Sequence, residues 1–201
     1  PPALPMGYRI LVPGQVEDDA SIRLGAGEIR TNLDLLRAAR EAHPDAVILY
    51  KPHPDVEAGL RTGAVDNAED FADLVLSHTD PASLLGDIDE VWTMTSLMGF
   101  EALLRCKRVT VTGTPFYAGW GLTRDLGRVP ARRQARPGLS GLVHAALIDY
   151  PRYYDPVSGQ ACAVETAVKR LAEGRVMRGG PALRLLAKMQ GLAAGSSWIW
   201  R

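Results

Sequence analysis

The chain has 201 residues, of which 46% are hydrophobic, and its 23 basic side chains balance 23 acidic ones. This length and apolar content predict one substantial core, in a single globular unit with room for an appendage. The neutral balance excludes a protein drawn to nucleic acid or to an anionic membrane by its overall charge, so a charged ligand must be bound locally.

Short runs rich in Val, Ile, Leu, Thr or Trp alternate with helical patterns along the first half of the chain. These runs predict five strands: Arg9–Val12, Ala46–Tyr50, Asp73–Ser77, Glu90–Thr95 and Arg108–Thr112. Because parallel strands need crossover connections, the alternation predicts a parallel sheet with helices on both faces. The predicted fold class is therefore α/β, with a Rossmann-like sheet of about five strands.

Three helices are predicted between the strands. The first begins at a capping residue, Thr31 or Asn32, and keeps helical spacing until Pro44 approaches. A short helix begins after Asp80, which Pro81 follows at the first helical position. The segment SLMGFEALL forms the third helix, directly after the fourth strand.

Beyond Gly138 the pattern becomes helical. Helices are predicted over Ser140–Tyr150, Cys162–Glu173 and Pro181–Gln190. We therefore expect a Rossmann-like domain over residues 1–138 and a helical appendage over residues 139–201, which packs on that domain or on a missing partner domain. The final segment GSSWIWR is either a docking tail for a missing domain or a packed terminus.

Cysteine usage and the apolar runs indicate the cellular setting. Cys106 and Cys162 form no CxxC pair, which favours a reducing compartment, here the cytoplasm, over a disulfide framework or a zinc site. No apolar run approaches the length of about 20 residues that a membrane span needs. The sequence begins at Pro1, and we expect it to be a piece of a longer protein.

Unusual polar clusters follow the predicted strands, at the edge where an open parallel sheet binds ligands. After the first strand, the segment PGQVEDDAS contains three consecutive acids, Glu17, Asp18 and Asp19, which form either a solvated turn or a catalytic group. After the second, two prolines bracket His53 in KPHP, so that a stiff loop presents Lys51 and His53 to a phosphate. An ordinary rigid turn is the alternative.

The segment TSLMGFEAL follows the fourth strand. Thr95 and Ser96 offer hydroxyls and free N–H groups at a helix start, which suits an anion, although an ordinary N-cap has the same sequence. Gly99 permits a close backbone approach, and Glu101 can accept hydrogen bonds from ribose hydroxyls. Together with His53 on the neighbouring strand end, these residues predict a nucleotide site.

After the fifth strand, the segment PFYAGWGLTRD surrounds two glycines with aromatic side chains. Tyr117, Gly119, Trp120 and Arg124 are candidates for a loop that contacts a sugar or an acceptor, and a compact lid over the core is the alternative. The basic residues of the next segment form either a local anion-binding strip or a solvated linker: Arg124, Arg128, Arg132, Arg133 and Arg136.

Four segments in this order and spacing resemble the capsular polysaccharide export and biosynthesis proteins of the KpsC/LipB type: PGQVEDDAS, YKPHPDV, TSLMGFEALL and TGTPFYAGWGLTRD. The resemblance runs from about residue 8 to residue 173. It implies a retaining β-Kdo glycosyltransferase that uses CMP-Kdo to build a Kdo linker on phosphatidylglycerol in Gram-negative bacteria. It also implies that this chain is the nucleotide-binding half of a GT-B module, whose other half lies outside these residues.

The resemblance implies roles for particular residues. Its Gln-x-x-x-Asp arrangement selects Gln15 and Asp19, with Asp18 as the alternative carboxylate and Glu17 as a solvated acid. A retaining transfer needs a carboxylate near the anomeric carbon, and we expect Asp19 to supply it. The implied nucleotide ligands are Lys51, His53, Pro54, Thr95, Ser96, Gly99 and Glu101.

No metal or other cofactor is expected, because the four histidines share no ligand spacing and no DxD pair stands where a metal would bridge phosphates. The implied partners are a CMP-sugar donor, a lipid-linked Kdo or phosphatidylglycerol acceptor and the capsule export machinery, with peripheral contact at the inner membrane and no nucleic acid. Two other classes stay open, since fold alone does not separate them: a noncatalytic nucleotide- or glycan-binding module, and a sugar-nucleotide epimerase.

Overall fold

The computed structural model describes residues 4–175. The chain divides into two compact units, Pro1–Leu142 and Val143–Arg201. The predicted helix Pro181–Gln190 and the segment GSSWIWR lie outside the described residues, and the expected division into domains stays a prediction. Within residues 4–175, none of the helices combines the length and the apolar character that crossing a bilayer requires.

The first unit is built on a parallel sheet of six strands in the order β3-β2-β1-β4-β5-β6. The strands are β1 Arg9–Pro13, β2 Val47–Lys51, β3 Leu74–Val75, β4 Glu90–Thr93, β5 Arg108–Val111 and β6 Arg124–Asp125. Every neighbouring pair is parallel. The predicted Rossmann-like sheet is confirmed, and the strand count is corrected from five to six by β6.

The central strands are buried because helices cover the sheet. Leu11 of β1 lies opposite Leu49 of β2 and Val91 of β4, and all three are inaccessible to solvent. Such strands carry nearly continuous apolar runs, which is why their sequences were recognisable. On one face the core joins strand residues to helix residues: Ile10, Val12, Ile48, Tyr50, Trp92 and Met94 pack with Ile22, Leu35, Leu36 and Ala39.

The helices between the strands are α1 Ala20–Gly25, α2 Asn32–Ala42, α3 Pro54–Glu57, α4 Pro81–Leu84 and α5 Leu97–Leu103, with a short 3₁₀ helix at Ala68–Asp70. Each α-helix begins at a side chain that accepts a backbone N–H: Asp19, Thr31, His53, Asp80 and Ser96 respectively. Capping of this kind satisfies donors that have no partner inside the helix. Two of these caps, Asp19 and His53, are also candidate site residues.

The sequence predicted only helices after residue 138, but the structure also has a β-hairpin in this region. The first predicted helix is α6 Leu139–His144 followed by a π-helical turn, Ala145–Asp149. Two short strands, β7 Tyr153–Tyr154 and β8 Ala161–Cys162, then pair as an antiparallel hairpin, so the next helix, α7 Val164–Ala172, begins after Cys162. Among the residues described, the second unit therefore combines a hairpin with helical segments.

Candidate functional site

A cleft of about 460 Å³ opens at the carboxyl edge of the sheet, between the segments that follow β1, β2 and β4. β1 and β4 are neighbours in the sheet, but β1 is followed by β2 on one side and β4 by β5 on the other. Open α/β sheets bind ligands in the crevice between two such strands, and the cleft lies there. Its lining joins three sequence segments that were predicted to meet: Gly14, Gln15, Val16, Asp19 and Ser21; His53, Asp55 and Arg61; and Thr95, Ser96 and Leu97.

Asp19 is the carboxylate of the acidic segment that lines this cleft. It caps α1, and its Oδ1 accepts a hydrogen bond from the backbone N–H of Ser21 at 2.8 Å. Hydrogen bonds from Ser21 lower the pKa of Asp19, and the nearby positive charge of Arg61 lowers it further. The carboxylate is therefore held in its charged form, with its position set by the start of the helix.

The other two acids of the segment have different partners. Asp18 Oδ1 accepts hydrogen bonds from Arg61 Nη2 at 2.9 Å and Nε at 3.2 Å, and this contact lowers the pKa of Asp18. Glu17 Oε1 accepts from the backbone N–H of Asn32 at 2.7 Å. The expectation that Glu17 is merely solvated is therefore wrong, because this side chain holds the first turn of α2.

Gln15 connects the segments after β1 and β4, and its side chain is nearly buried. Its Oε1 accepts from Thr93 Oγ1 at 2.9 Å and from the N–H groups of Met94 at 3.2 Å and Thr95 at 3.0 Å, while its Nε2 donates to Thr95 Oγ1 at 2.8 Å. The amide is thus committed to protein partners. Gln15, predicted among the catalytic residues, occupies a positioning role in this arrangement.

Asn32 is a residue of the site region that the sequence reasoning missed. It is 1% exposed, its Oδ1 accepts from the N–H of Gln15 at 2.8 Å, and its Nδ2 donates to the carbonyls of Gln15 and Gly63, both at 2.8 Å. Gly63 has a φ of +127°, and a Cβ there would lie 2.7 Å from the Gln15 carbonyl oxygen. Asn32 was recognised only as a possible helix cap, because nothing local marks these distant partners.

His53 presents one ring nitrogen to the protein and lines the cleft. Its Nδ1 accepts a hydrogen bond from the N–H of Asp55 at 3.1 Å as the cap of α3. This bond uses the Nδ1 lone pair, so Nε2 carries the proton and is a donor. Asp55 Oδ2 lies 3.9 Å from Nδ1, but the neutral ring forms no ion pair with it. Pro54 occupies the first position of α3, which favours the helix start.

Lys51 lies beneath this loop instead of in the cleft. Its side chain is 4% exposed, and its Nζ donates to the Pro52 carbonyl at 2.7 Å and to Glu57 Oε2 at 2.8 Å. The charge of Lys51 is neutralised inside the protein, so the prediction that it contacts a phosphate is wrong for this arrangement. Arg61, which sequence reasoning did not select, is the cation that lines the cleft.

Thr95 and Ser96 both line the cleft, as the sequence predicted. Ser96 Oγ caps α5 by accepting from the N–H of Met98 at 3.2 Å. The N–H of Ser96, which the sequence reasoning left free for an anion, donates to Thr93 Oγ1 at 3.1 Å. Ser96 therefore offers a ligand its hydroxyl rather than its N–H, and the Thr95 hydroxyl lies beside it in the lining.

Two other predicted nucleotide ligands on α5 lie outside the cleft lining. Gly99 is buried, and a Cβ there would collide with the ring of Tyr117, so this glycine makes room for an aromatic side chain rather than for a ligand. Glu101 is partly exposed and lies four residues after Leu97, one turn along the same helix face. Its contact with a ribose stays a prediction.

The aromatic-glycine segment forms a compact lid. Tyr117 is fully buried, and Trp120 Nε1 donates to the Phe116 carbonyl at 2.7 Å. Arg133 stacks 5.5 Å from the centre of the Trp120 ring and donates to the Ala118 carbonyl at 2.7 Å. These contacts favour the alternative of a lid over a core, and neither Tyr117 nor Trp120 lines the cleft.

The arginines of the basic segment that follows β5 fall into two groups, those that contact the lid and those that are exposed. Arg133 and Arg136 donate to backbone carbonyls of the lid, including that of Gly119, whose φ of +83° glycine adopts readily. Arg124, Arg128 and Arg132 are exposed. In the part of the chain that the structure describes, no group of three or more His, Cys, Asp or Glu side chains is arranged to hold a metal ion. The expectation of a metal-free reaction stays a prediction.

Residues 6–153 match the model of a family described as capsule polysaccharide biosynthesis protein. The chain is 53% identical over 171 residues to the capsule polysaccharide modification protein LipA of Neisseria meningitidis serogroup A, which covers 84% of this chain and 24% of LipA. It is 48% identical over 167 residues to the lipopolysaccharide-processing protein LpsZ of Rhizobium meliloti, which covers 82% of this chain and 38% of LpsZ. The chain thus spans less than half the length of these curated relatives.

Two solved structures from Thermosulfurimonas dismutans are similar to the chain. One is a KpsC β-Kdo 2,7 transferase, with a TM-score of 0.75, 41% identity, and coverage of 86% of this chain and 56% of that chain. The other is a KpsC β-Kdo 2,4 transferase, with a TM-score of 0.73, 36% identity, and coverage of 85% of this chain and 53% of that chain. The chain therefore spans a little over half the length of each.

Proposed function

Since the chain belongs to the capsule polysaccharide biosynthesis protein family, we propose that it is the donor-binding half of a retaining β-Kdo glycosyltransferase that uses CMP-Kdo. The observation that carries this proposal is the meeting of Asp19, His53, Thr95 and Ser96 in one cleft at the carboxyl edge of the sheet. A carboxylate, a ring N–H donor and two hydroxyls suit a sugar joined to a single phosphate. The similarity to two β-Kdo transferases supports the same assignment.

The phosphate of the donor is held by neutral donors and one cation. His53 Nε2–H and the hydroxyls of Thr95 and Ser96 can donate to phosphate oxygens. Arg61, oriented by its ion pair with Asp18, supplies positive charge from the same lining. Because a CMP-sugar carries one phosphate, these groups can stabilise the charge that develops on it as the sugar departs.

Asp19 acts on the transferred sugar. In a retaining reaction the C–O bond between sugar and CMP breaks with its electron pair leaving on the phosphate, and a carboxylate on the opposite face forms a glycosyl adduct or stabilises the oxocarbenium-like transition state. The charged, helix-anchored carboxylate of Asp19 suits either role. The acceptor hydroxyl then bonds to the anomeric carbon from the face that CMP left and gives its proton to the departed CMP phosphate, while any bond to Asp19 breaks with its electron pair returning to the carboxylate.

The remaining elements of the proposal concern the whole protein. The acceptor is a lipid-linked Kdo or phosphatidylglycerol, the other half of the module completes the cleft, and Glu101 contacts the ribose. The protein works on the cytoplasmic side of the inner membrane, in contact with the export machinery, and needs no metal or other cofactor. Membership of the family and the donor groups of the cleft support these assignments.

Calorimetric titration of the chain with CMP, CDP and UDP tests the proposal. We expect saturable binding of CMP that is unchanged by EDTA, and much weaker binding of UDP, because the cleft is assigned to a cytidine nucleotide with one phosphate. A preference for UDP would favour an epimerase of the same fold. A chain that binds none of the three would instead act as a noncatalytic module.

Replacing His53 by Ala is expected to weaken CMP binding by about 1.5 to 3 kcal/mol, the range for a hydrogen bond to a charged group. His53→Asn provides the matched control, because Asn can still cap α3 but lacks the Nε2 donor. Both variants should lose CMP affinity in calorimetry, while His53→Asn should keep the parent's thermal stability. Parent-like CMP affinity in His53→Asn would reduce His53 to a helix cap.

A further inference from the structure

A second cleft, of about 690 Å³, opens along the carboxyl edge of the sheet. It lies between the segment that joins α1 to α2 and the segments that follow β5 and β6. Its lining comprises residues 24–30 and 126–128 with Thr112 and Thr114. The donor site described above uses none of these residues.

The two clefts share a wall. The N–H of Thr114 donates to the Gly25 carbonyl at 2.7 Å, and a Cβ on Gly25 would lie 3.2 Å from Cγ2 of Thr95, which lines the first cleft. A Cβ on Gly113 would lie 2.6 Å from the Met94 carbonyl oxygen, so only glycine allows this approach. Asp19 caps the start of α1 and Gly25 ends it, and six helical residues span about 9 Å.

The second cleft carries an excess of positive charge. Arg30 and Arg128 both line it, and neither forms an ion pair within residues 4–175. Arg30 Nε donates to the Gly27 carbonyl at 3.0 Å, which fixes the direction of that side chain. Glu28 is the one acid among the lining residues. A guanidinium group matches carboxylate and phosphate oxygens with paired hydrogen bonds.

A hydroxyl without a partner lies in the same lining. Thr112 is 4% exposed, and its Oγ1 makes no hydrogen bond with any described residue. Buried polar groups in folded proteins nearly always have a partner, and because this oxygen has almost no exposed surface, a buried water oxygen is the partner expected for it. Leu24 and Leu126 are exposed on the rim, where they can contact the apolar face of a sugar ring or a glycerol chain.

We infer that the second cleft binds the acceptor of the transfer through an anionic group, held by Arg30 and Arg128. The inference rests on the proposed function, which requires an acceptor hydroxyl near Asp19. A sugar carboxylate and a lipid phosphate share this chemistry, and both suit two guanidinium groups. Apart from the exposed Glu28, the lining has no carboxylate or imidazole, so the cleft positions the acceptor while the first cleft performs the chemistry.

The test is a titration of the 201-residue chain, with and without CMP, using two probes: the methyl glycoside of Kdo and glycerol 3-phosphate. Arg30→Ala and Arg128→Ala are expected to weaken binding of the preferred probe at least about tenfold, which corresponds to the loss of one charge-assisted hydrogen bond. CMP affinity should stay unchanged. Arg132→Ala is the matched control, because Arg132 is exposed in the same basic segment and lines neither cleft.

The outcomes separate this inference from the proposed function. Arginine-dependent binding of the Kdo glycoside assigns the cleft to a sugar-acid acceptor, and arginine-dependent binding of glycerol 3-phosphate assigns it to a lipid phosphate. If neither probe binds, or if both arginine variants bind as the parent does, the inference is overturned while CMP binding still supports the donor site. A parent that binds a probe through these arginines but not CMP would keep the anion site and contradict the donor assignment.

Discussion

Replacing Asp19 by Asn in the complete two-domain enzyme is expected to lower the rate of Kdo transfer from CMP-Kdo by about 10³-fold or more, with little change in CMP affinity. The lost interaction exists mainly in the transition state, when positive charge develops on the sugar, so ground-state binding of the nucleotide should be preserved. Asn caps a helix as well as Asp does, so α1 and the segment after β1 should keep their positions. Transfer assays and CMP titrations on the same variant measure the two effects.

Asp18→Asn is the matched control for this prediction. Asp18 is the neighbouring carboxylate, but it pairs with Arg61 at the surface and does not line the cleft. We expect its replacement to cost less than about tenfold in rate, in keeping with the small contribution of exposed ion pairs. Mass spectrometry of the parent with donor can also detect an added Kdo mass on the peptide that contains Asp19. Parent-like transfer by Asp19→Asn would end the catalytic assignment.

Replacing Asn32 by Ala is expected to lower the free energy of unfolding by about 3 kcal/mol, because it leaves buried groups of two segments without partners. The N–H and carbonyl of Gln15 and the carbonyl of Gly63 all lose the hydrogen bonds that Asn32 provides. The segment that carries Gln15 should loosen at the same time, and because Gln15 positions Thr95, CMP affinity should also fall. Urea unfolding and calorimetry measure the two losses.

Two further variants sharpen the prediction for Asn32. Asn32→Asp keeps the oxygen that accepts from Gln15 but places a second oxygen against two carbonyls, so it should be destabilised as well. Gln134→Ala removes an exposed amide far from these segments and should change stability by less than about 0.5 kcal/mol. If Asn32→Ala unfolds at the same urea concentration as Gln134→Ala, Asn32 does not hold the two segments together.

The sheet was predictable because its strands are buried on both faces. Runs such as Arg9–Val12 and Ala46–Tyr50 are nearly continuous in apolar residues, and the observed strands begin and end within one or two residues of them. β6 was missed because Arg124 and Asp125 carry no apolar pattern and are extended only through pairing with β5. α1 and α3 were missed for a related reason, since helices of six and four residues depend on a cap and on tertiary packing.

The placement of the site followed from topology, but the role of each side chain did not. Parallel strands deliver their following segments to one edge, so Asp19, His53, Thr95 and Ser96 could be brought together from sequence order. Lys51, Gly99 and Tyr117 belong to the same motifs, yet they pack inward. Strand and helix periodicity cannot distinguish these two groups in irregular segments.

The sequence by itself determined the parallel sheet, the edge at which ligands bind and the motifs that meet there, because apolar periodicity and chain order act locally or through simple topology. Only the tertiary structure decided that Glu57 neutralises Lys51, that Arg61 takes its place in the cleft and that Asn32 joins Gln15 to Gly63. Those pairings join residues between 6 and 31 positions apart, and their partners become fixed only when the segments pack and each buried polar group must find a hydrogen bond.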